Sequence, residues 1–422
     1  EPCSSNCEKN RAMPADRLSA VLNAHVTSLE EAGTAKGAEN VVVAVKPALG
    51  DRGPRVYLQG EGDKEFIRLN SNSYLGMGLR PEVIAAEEEA TRSFGAGPGA
   101  VRFISGTYGA HVALEAKLAD FHSREAAMIF SSAYATVVST ITPLVTSETV
   151  LISDELNHNC IINAMRLSRP AGKAIYLHND VAALDAALED WKGKAKRALV
   201  VTDGIFSMRG DHAPVDEIMA MCVRHDADYE ENVVCIVDDS HGVGSFGRTG
   251  RGAEEYTSSA PVDILVGTLG KAFGVNGGYV VANAATIQFL RESSQMYIYS
   301  NPITVGEAAA ALRSIEIVDS DEGAALLARL RTLTKRFEDG LGRIGIETIP
   351  GDHPIVPLMI RDTQRTRDLV QYLYDNGVLA TGLAYPVVPR GDEEIRTQIN
   401  ADHTEADIDH VLAILEAFPG KA

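Results

Sequence analysis

Several side chains able to do chemistry stand one step beyond apolar runs of this sequence. Lys271 lies in Gly267-Thr268-Leu269-Gly270-Lys271-Ala272-Phe273-Gly274, directly after Val262 to Val266, so a strand-like run delivers one amine into a glycine-rich loop. Asp238 and His241 lie in Val237-Asp238-Asp239-Ser240-His241-Gly242. His158 follows Leu151-Ile152-Ser153-Asp154-Glu155-Leu156-Asn157, and Ser207 follows Thr202-Asp203-Gly204-Ile205-Phe206. Taken singly, each has an ordinary role: a surface lysine, an aspartate in a turn, a hydrogen-bonded core histidine.

Together they suit one cofactor, pyridoxal phosphate. Its aldehyde condenses with a lysine, and its ring nitrogen becomes a strong electron sink when a carboxylate holds a proton there. Lys271 and Asp238 would supply these two groups, His158 would lie over the ring face, and His241 would donate to the ring oxygen. Ser132, Thr268 and the backbone amides of the turn Ala133-Tyr134 would cradle the phosphate at a helix start. A rival reading sits nearby, because Gly242-Val243-Gly244-Ser245-Phe246-Gly247 spells the dinucleotide fingerprint. That fingerprint needs a helix to open within it, and the continuation Arg248-Thr249-Gly250-Arg251-Gly252 opposes one, so the match is coincidental.

The elements that must position these groups are strands alternating with helical stretches. Strands are expected at Ala127 to Phe130, Thr149 to Ser153, Ala174 to Leu177, Ala198 to Thr202, Val233 to Val237, Ile264 to Val266 and Gly278 to Val281, the pattern of an α/β domain with a largely parallel sheet. Before them come a helix from Ala15 to about Ala35, a strand-like run Val41 to Val45, and a hairpin from Tyr57-Leu58 to Phe66 to Leu69. The polar loop Asn70 to Leu79 follows, then a helix opened by Pro81, a glycine loop Phe94 to Arg102 and a helix from Ala110 to Phe121. Beyond Ser300, long helices are expected at Val305 to Ser320 and Gly323 to Leu341, and a last one at Thr404 to Phe418. This gives a tail and arm over 1–70, a large cofactor-binding α/β domain over 71–304, and a smaller α+β domain over 305–422.

Composition narrows the partners. The 422 residues carry 39 basic and 58 acidic side chains, a net charge of −19, which argues against nucleic acid or an anionic membrane surface as the main partner. The uncharged window Ala126 to Val145 holds Ser131, Ser132, Thr136, Ser139, Thr140, Thr142 and Pro143, too polar and broken for a membrane span. Cys3, Cys7, Cys160, Cys222 and Cys235 show no paired metal spacing and point to a reducing, cytoplasmic setting, with Glu1 to Asn10 read as a tail. His212 and His225 near Cys222 lack a second ligand pair, so no metal site is expected. His111 has a packing or capping role as its default.

The segments Asn72-Ser73-Tyr74-Leu75-Gly76, Ser105-Gly106-Thr107 with His111 and Glu115, Asp154-Glu155-Leu156-Asn157-His158, Asp203-Gly204-Ile205-Phe206-Ser207-Met208, Val237-Asp238-Asp239-Ser240-His241, Gly250-Arg251-Gly252 and Gly267-Thr268-Leu269-Gly270-Lys271 resemble the α-oxoamine synthase family of pyridoxal phosphate enzymes in order and spacing. Within it, Val101-Arg102-Phe103-Ile104, Asn157-His158, Tyr385-Pro386-Val387-Val388-Pro389 and Ile395-Arg396-Thr397-Gln398 look most like the glycine C-acetyltransferase branch.

That resemblance implies a fold-type I transferase with a mixed, mostly parallel seven-stranded sheet in the large domain, working as a homodimer with shared active sites. It implies that Arg396 and Asn72 hold the carboxylate of an amino acid, and that Ser300 of the second copy reaches the phosphate. The reaction implied joins a small amino acid, glycine first, to an acyl-coenzyme A with release of coenzyme A. The alternatives are another member of the family, similar to 8-amino-7-oxononanoate synthase or serine palmitoyltransferase, or a pyridoxal phosphate aminotransferase or lyase. The sequence departs from the family pattern at Val137, where an asparagine is common, at Arg209, where an aspartate is common, and at Glu394, where a second arginine is frequent.

Overall fold

The computed structural model describes residues 15–32, 34–385 and 388–420. The tail Glu1 to Asn10 with Cys3 and Cys7, and Pro386-Val387 of the branch motif, lie outside the described residues.

A seven-stranded sheet forms the centre, in the order Ala126–Phe130, Gly278–Ala282, Ile264–Thr268, Val233–Asp238, Arg197–Asp203, Thr149–Asp154, Gly172–Tyr176. Gly278–Ala282 runs antiparallel to both of its neighbours, and the five strands beyond it pair in parallel. These strands are apolar on both faces because both are covered. Val150, Ile152, Ala198 and Val200 enter one apolar cluster, whereas Leu151, Leu199 and Val201 enter the cluster on the opposite face. All seven expected strands form, each within two residues of the ends read from the sequence.

Parallel pairing has a direct consequence for chemistry. The carboxyl ends of the parallel strands open along one sheet edge, so Asp154, Asp203, Asp238 and Thr268 line up there, with Asp203 opposite Asp238 in register. The window Ala126 to Val145 is a strand, a turn and the helix Ala133–Leu144. Among the described residues no helix is long and apolar enough to cross a membrane.

A second, three-stranded antiparallel sheet has Glu394–Gln398 between Ile355–Met359 and Thr381–Leu383. It is accompanied by the helices Asp321–Arg343, Thr363–Asp375 and Glu405–Ala417. The helix Val305–Val318 packs against Pro81–Phe94 and Gly109–Phe121, and so rests on the large unit. In the arm, Val42–Lys46 pairs with Arg55–Leu58, and Ile67–Arg68 instead joins Val378–Leu379 of the carboxyl-terminal unit in parallel. The expected hairpin therefore survives only as the single bridge between Val56 and Phe66. The helix Asp16–Glu31 buries none of its residues.

Candidate active site

The lysine loop is built by its strand and held by its own backbone. Thr268, the last residue of Ile264–Thr268, accepts the amide proton of Gly270 on Oγ1 at 3.1 Å and donates to the carbonyl of Gly277 at 3.2 Å. These bonds fix the turn that presents Lys271 to a cavity lined also by Ala133, Tyr134, His158, Asp203, Asp238 and His241. Burial lowers the Lys271 amine to about 8, with Arg396 adding to the fall and Asp238 opposing it.

Asp238 and Asp239 are adjacent and buried, yet their roles differ because successive side chains point to opposite sides. Asp239 accepts the amide of Ala253 at 2.7 Å, and a Cβ on Gly204, Gly242 or Gly252 would strike its carboxylate, so it organises the loops behind the site. Asp238 lines the cavity. Its Oδ1 accepts the amide of Ser240 at 3.1 Å and the Ser240 hydroxyl at 2.6 Å, while Oδ2 receives only the Cys160 thiol at 3.5 Å. Among the described residues it makes no ion pair, and the Lys271 amine acts on it only across the cavity, so a buried carboxylate is left aimed at the cavity.

At another side of the same cavity the helix Ala133–Leu144 begins. Ser132 caps it, accepting the amide of Ala135 at 3.2 Å, and the amides of Ala133 and Tyr134 belong to the first turn, where no helical acceptor exists. Gly278 makes this approach feasible, since a Cβ there would lie 2.5 Å from the backbone of Ala133. A carboxylate without an ion-pair contact and a helix start lacking acceptors, with an amine of lowered basicity in the same cavity, match the ring nitrogen, phosphate and aldehyde of pyridoxal phosphate. The Thr268 hydroxyl spends its proton on the Gly277 carbonyl, whereas Ser132 only accepts from Ala135 and keeps its hydroxyl proton beside the amides of the helix start as an anion donor.

Both expected histidines are present. His241 is buried, its Nδ1 lies 2.8 Å from the hydroxyl of Tyr74, and burial with the nearby Lys271 and Arg396 charges holds its pKa well below the usual value. His158 caps the helix Asn159–Leu167 and is partly open to solvent, its Nδ1 lying 2.9 Å from the Cys160 sulfur. Burial of its inner side and the Lys271 charge lower its pKa. Ser207 lines the cavity as well.

Arg396 comes from the three-stranded sheet, and its Nη2 donates to Oδ1 of Asn72 at 3.2 Å. Residues 324 positions apart thus meet. Ser300 does not line this chain's own cavity. Of the departures, Val137 is buried in an apolar cluster, Arg209 pairs with Asp211 at 2.8 Å, and Glu394 is buried with Oε1 unpartnered among the described residues. Burial raises Glu394 to about 7 against the pull of Arg396 and Arg209. The Gly242 to Gly247 run is an irregular turn with no helix inside it, and its Gly244 amide bonds the carbonyl of Gly250 at 2.6 Å.

Three polar cavity residues were not singled out as site residues from the sequence. Asp203 accepts the amide of His158 at 2.8 Å, Cys160 bridges His158 and Asp238, and Ser240 holds Asp238. For Asp203 the signal was present, an acid ending an apolar strand. Cys160 carried none. His111 proves to be a cap, accepting the amide of Tyr108 at 3.1 Å, with Nε2 2.9 Å from the carbonyl of Ile303.

Comparisons with known proteins agree with this geometry. The family model for aminotransferase class I and II matches residues 64–415. The chain is 37% identical over 373 residues to 8-amino-7-oxononanoate synthase of Geobacter sulfurreducens, covering 88% of this chain and 93% of that protein. It is 36% identical over 404 residues to mitochondrial 2-amino-3-ketobutyrate coenzyme A ligase of Bos taurus, covering 95% and 91%. Serine palmitoyltransferase of Sphingomonas wittichii superposes with a TM-score of 0.85 at 27% identity, over 96% of this chain and 98% of that one. A related SPT structure, solved with PLP, reaches a TM-score of 0.86 at 29% identity and covers 95% and 98%. A lysine, a carboxylate and a helix start around one cavity, on a fold shared over nearly the whole chain, place this protein in the aminotransferase class I and II family as a pyridoxal phosphate-dependent α-oxoamine synthase.

Proposed function

We propose that the enzyme joins a small α-amino acid, glycine first, to an acyl-coenzyme A and releases coenzyme A. The observation that carries this reading is the Arg396–Asn72 pair, a carboxylate clamp whose guanidinium charge reaches Lys271 and helps lower its basicity. When bound, pyridoxal phosphate supplies an electron sink for negative charge at the amino acid Cα.

The rest is the work of this chain. Arg396 holds the substrate carboxylate through its guanidinium, and Asn72 fixes the orientation of that guanidinium. Lys271, neutral in a larger fraction than an ordinary lysine, takes the proton from Cα and returns it later. Asp238 holds a proton at the ring nitrogen, with Ser240 keeping the carboxylate in place. His158, whose Nδ1 is turned to Cys160, has Nε2 left to donate to the oxygen that gains charge when the thioester is attacked.

The relatives supply a second reading, because 8-amino-7-oxononanoate synthases match as closely as the ketobutyrate ligase. One experiment separates the two: a matrix of glycine, alanine and serine against acyl-coenzyme A of increasing chain length, reading free thiol and product mass. Glycine with acetyl-coenzyme A is the expected best pair. Turnover only with alanine and a long acyl group would favour the second reading, and amino transfer without thiol release would overturn both.

We also infer that the working form is a homodimer. The arm leaves Leu18, Val21, Leu22 and Val26 exposed along the helix Asp16–Glu31, and Phe103 and Ile104 in the loop after the first glycine run are exposed as well. A second copy would cover this surface, and in such a dimer its Ser300 is the residue expected at the phosphate.

A further inference from the structure

The sequence marks Tyr74 only as part of a motif, but the fold carries its hydroxyl to His241, 167 residues away, at 2.8 Å from Nδ1. Tyr74 is completely buried. Its ring edge packs on His353, whose Nε2 donates to the backbone carbonyl of His241 at 2.9 Å while Nδ1 accepts the amide of Ile355 at 3.2 Å. Both the side chain and the main chain of His241 are therefore held by the protein, and its Nε2 makes no hydrogen bond among the described residues. The Tyr74 hydroxyl also lies 3.3 Å from Oδ1 of Asn72, the atom that already accepts from Arg396.

We propose that Tyr74 is a positioning residue that keeps the single proton of His241 on Nε2, the nitrogen left to the cavity, and so makes His241 a donor to the cofactor's ring oxygen. A buried phenol keeps its proton, since burial pushes its ionisation far upward, so the Tyr74 hydroxyl is always a potential donor. Its two acceptors are unequal: the contact to Nδ1 is shorter by half an ångström, and 3.3 Å to Asn72 Oδ1 is long for a hydroxyl donor. A neutral imidazole that accepts on Nδ1 must carry its proton on Nε2. Neutrality follows from the surroundings, because burial and the charges of Lys271 and Arg396, with His353 and His158 close by, all oppose a second proton on His241. The reverse arrangement, with His241 donating to Tyr74 and Tyr74 to Asn72, would turn a bare lone pair towards the ring oxygen.

With its one proton on His241, the Tyr74 hydroxyl oxygen only borders Asn72 Oδ1, so His241 is set by Tyr74 without a continuous hydrogen-bonded chain to the carboxylate clamp. The inference rests on cofactor dependence and not on acyl transfer, so a protein that turns over other substrates would sink the proposed reaction and leave this intact.

The test is Tyr74→Phe, which keeps the ring and its packing and removes the hydroxyl. In the cofactor-loaded protein, the pH midpoint of the visible absorbance change is read against wild type. A donor to the ring oxygen favours its ionised form, so losing the fixed tautomer raises the midpoint, by about one pH unit. kcat should fall about tenfold or more while KM for the amino acid changes less than about twofold, because Arg396 and Asn72 remain. Pairing the change with His241→Ala should give no further shift. An unchanged midpoint in Tyr74→Phe, or full additivity with His241→Ala, would overturn the proposal and leave Tyr74 as packing. If Tyr74→Phe fails to fold, His353→Gln serves instead: loosening the His241 carbonyl should shift the same midpoint in the same direction, and no shift would count against the assignment.

Discussion

The guanidinium of Arg102 meets the carboxylate of Glu115 in two parallel hydrogen bonds of 3.1 Å each, with both side chains buried. Glu115 also accepts from Arg291 at 2.9 Å and from the amide of Ile129 at 3.1 Å. Both residues belong to motifs that carry the family resemblance, and in the fold they act mechanically, tying the glycine loop and the helix Gly109–Phe121 to the edge strand Ala126–Phe130. Removing one member leaves the other charge buried without a match, so Glu115→Ala should lower the unfolding free energy by about 3–5 kcal/mol. Denaturant unfolding of the cofactor-free protein checks this, and a loss under about 1 kcal/mol would show that the pair is solvated.

Lys271 should react as an amine of lowered basicity. In cofactor-free protein, the rate at which its amine combines with pyridoxal phosphate should rise with pH and level off above about 8, since only the neutral amine attacks. Lys271→Ala should bind the cofactor without the visible absorbance of wild type. A midpoint near that of a free lysine would show the site to be wetter than its geometry implies.

Arg396→Lys should raise KM for the amino acid by about 10²-fold, because a point charge replaces a planar donor that Asn72 holds in orientation. KM for the acyl-coenzyme A should change little. Steady-state kinetics with each substrate varied in turn gives the split, and an equal rise in both constants would remove Arg396 from the amino acid side.

His178 gives a pH dependence of stability away from the reaction. Burial alone would lower its pKa, but its bonds to Asp154 and Asp211, both 3.2 Å, outweigh that and raise it to about 9. A folded-state pKa above the unfolded value means that this stabilisation is complete below about pH 6.5 and is lost as pH rises through about 9. Thermal melts across this window should fall in wild type and flatten in His178→Asn. Parallel curves would show that the imidazole is neutral throughout.

The chain order alone determined the sheet and the principal chemistry. Apolar runs on a strand period, each ending in an acid, a histidine or a glycine loop, place Asp238, His241, His158 and Lys271 at one sheet edge, because parallel strands must all open the same way. What the sequence left open was settled by contacts between distant residues. That Asp238 and not Asp239 faces the cavity depends on which side of the strand end is covered by Ala253 and the glycine turns. That Thr268 and Ser132 serve their own loops depends on backbone groups that only the folded turns bring within reach. Tyr74 and His241 meet across 167 residues, and Asn72 and Arg396 across 324. Local periodicity decides which way a side chain points from its own strand or helix, whereas these pairs exist only because segments far apart in the sequence pack together near the lysine.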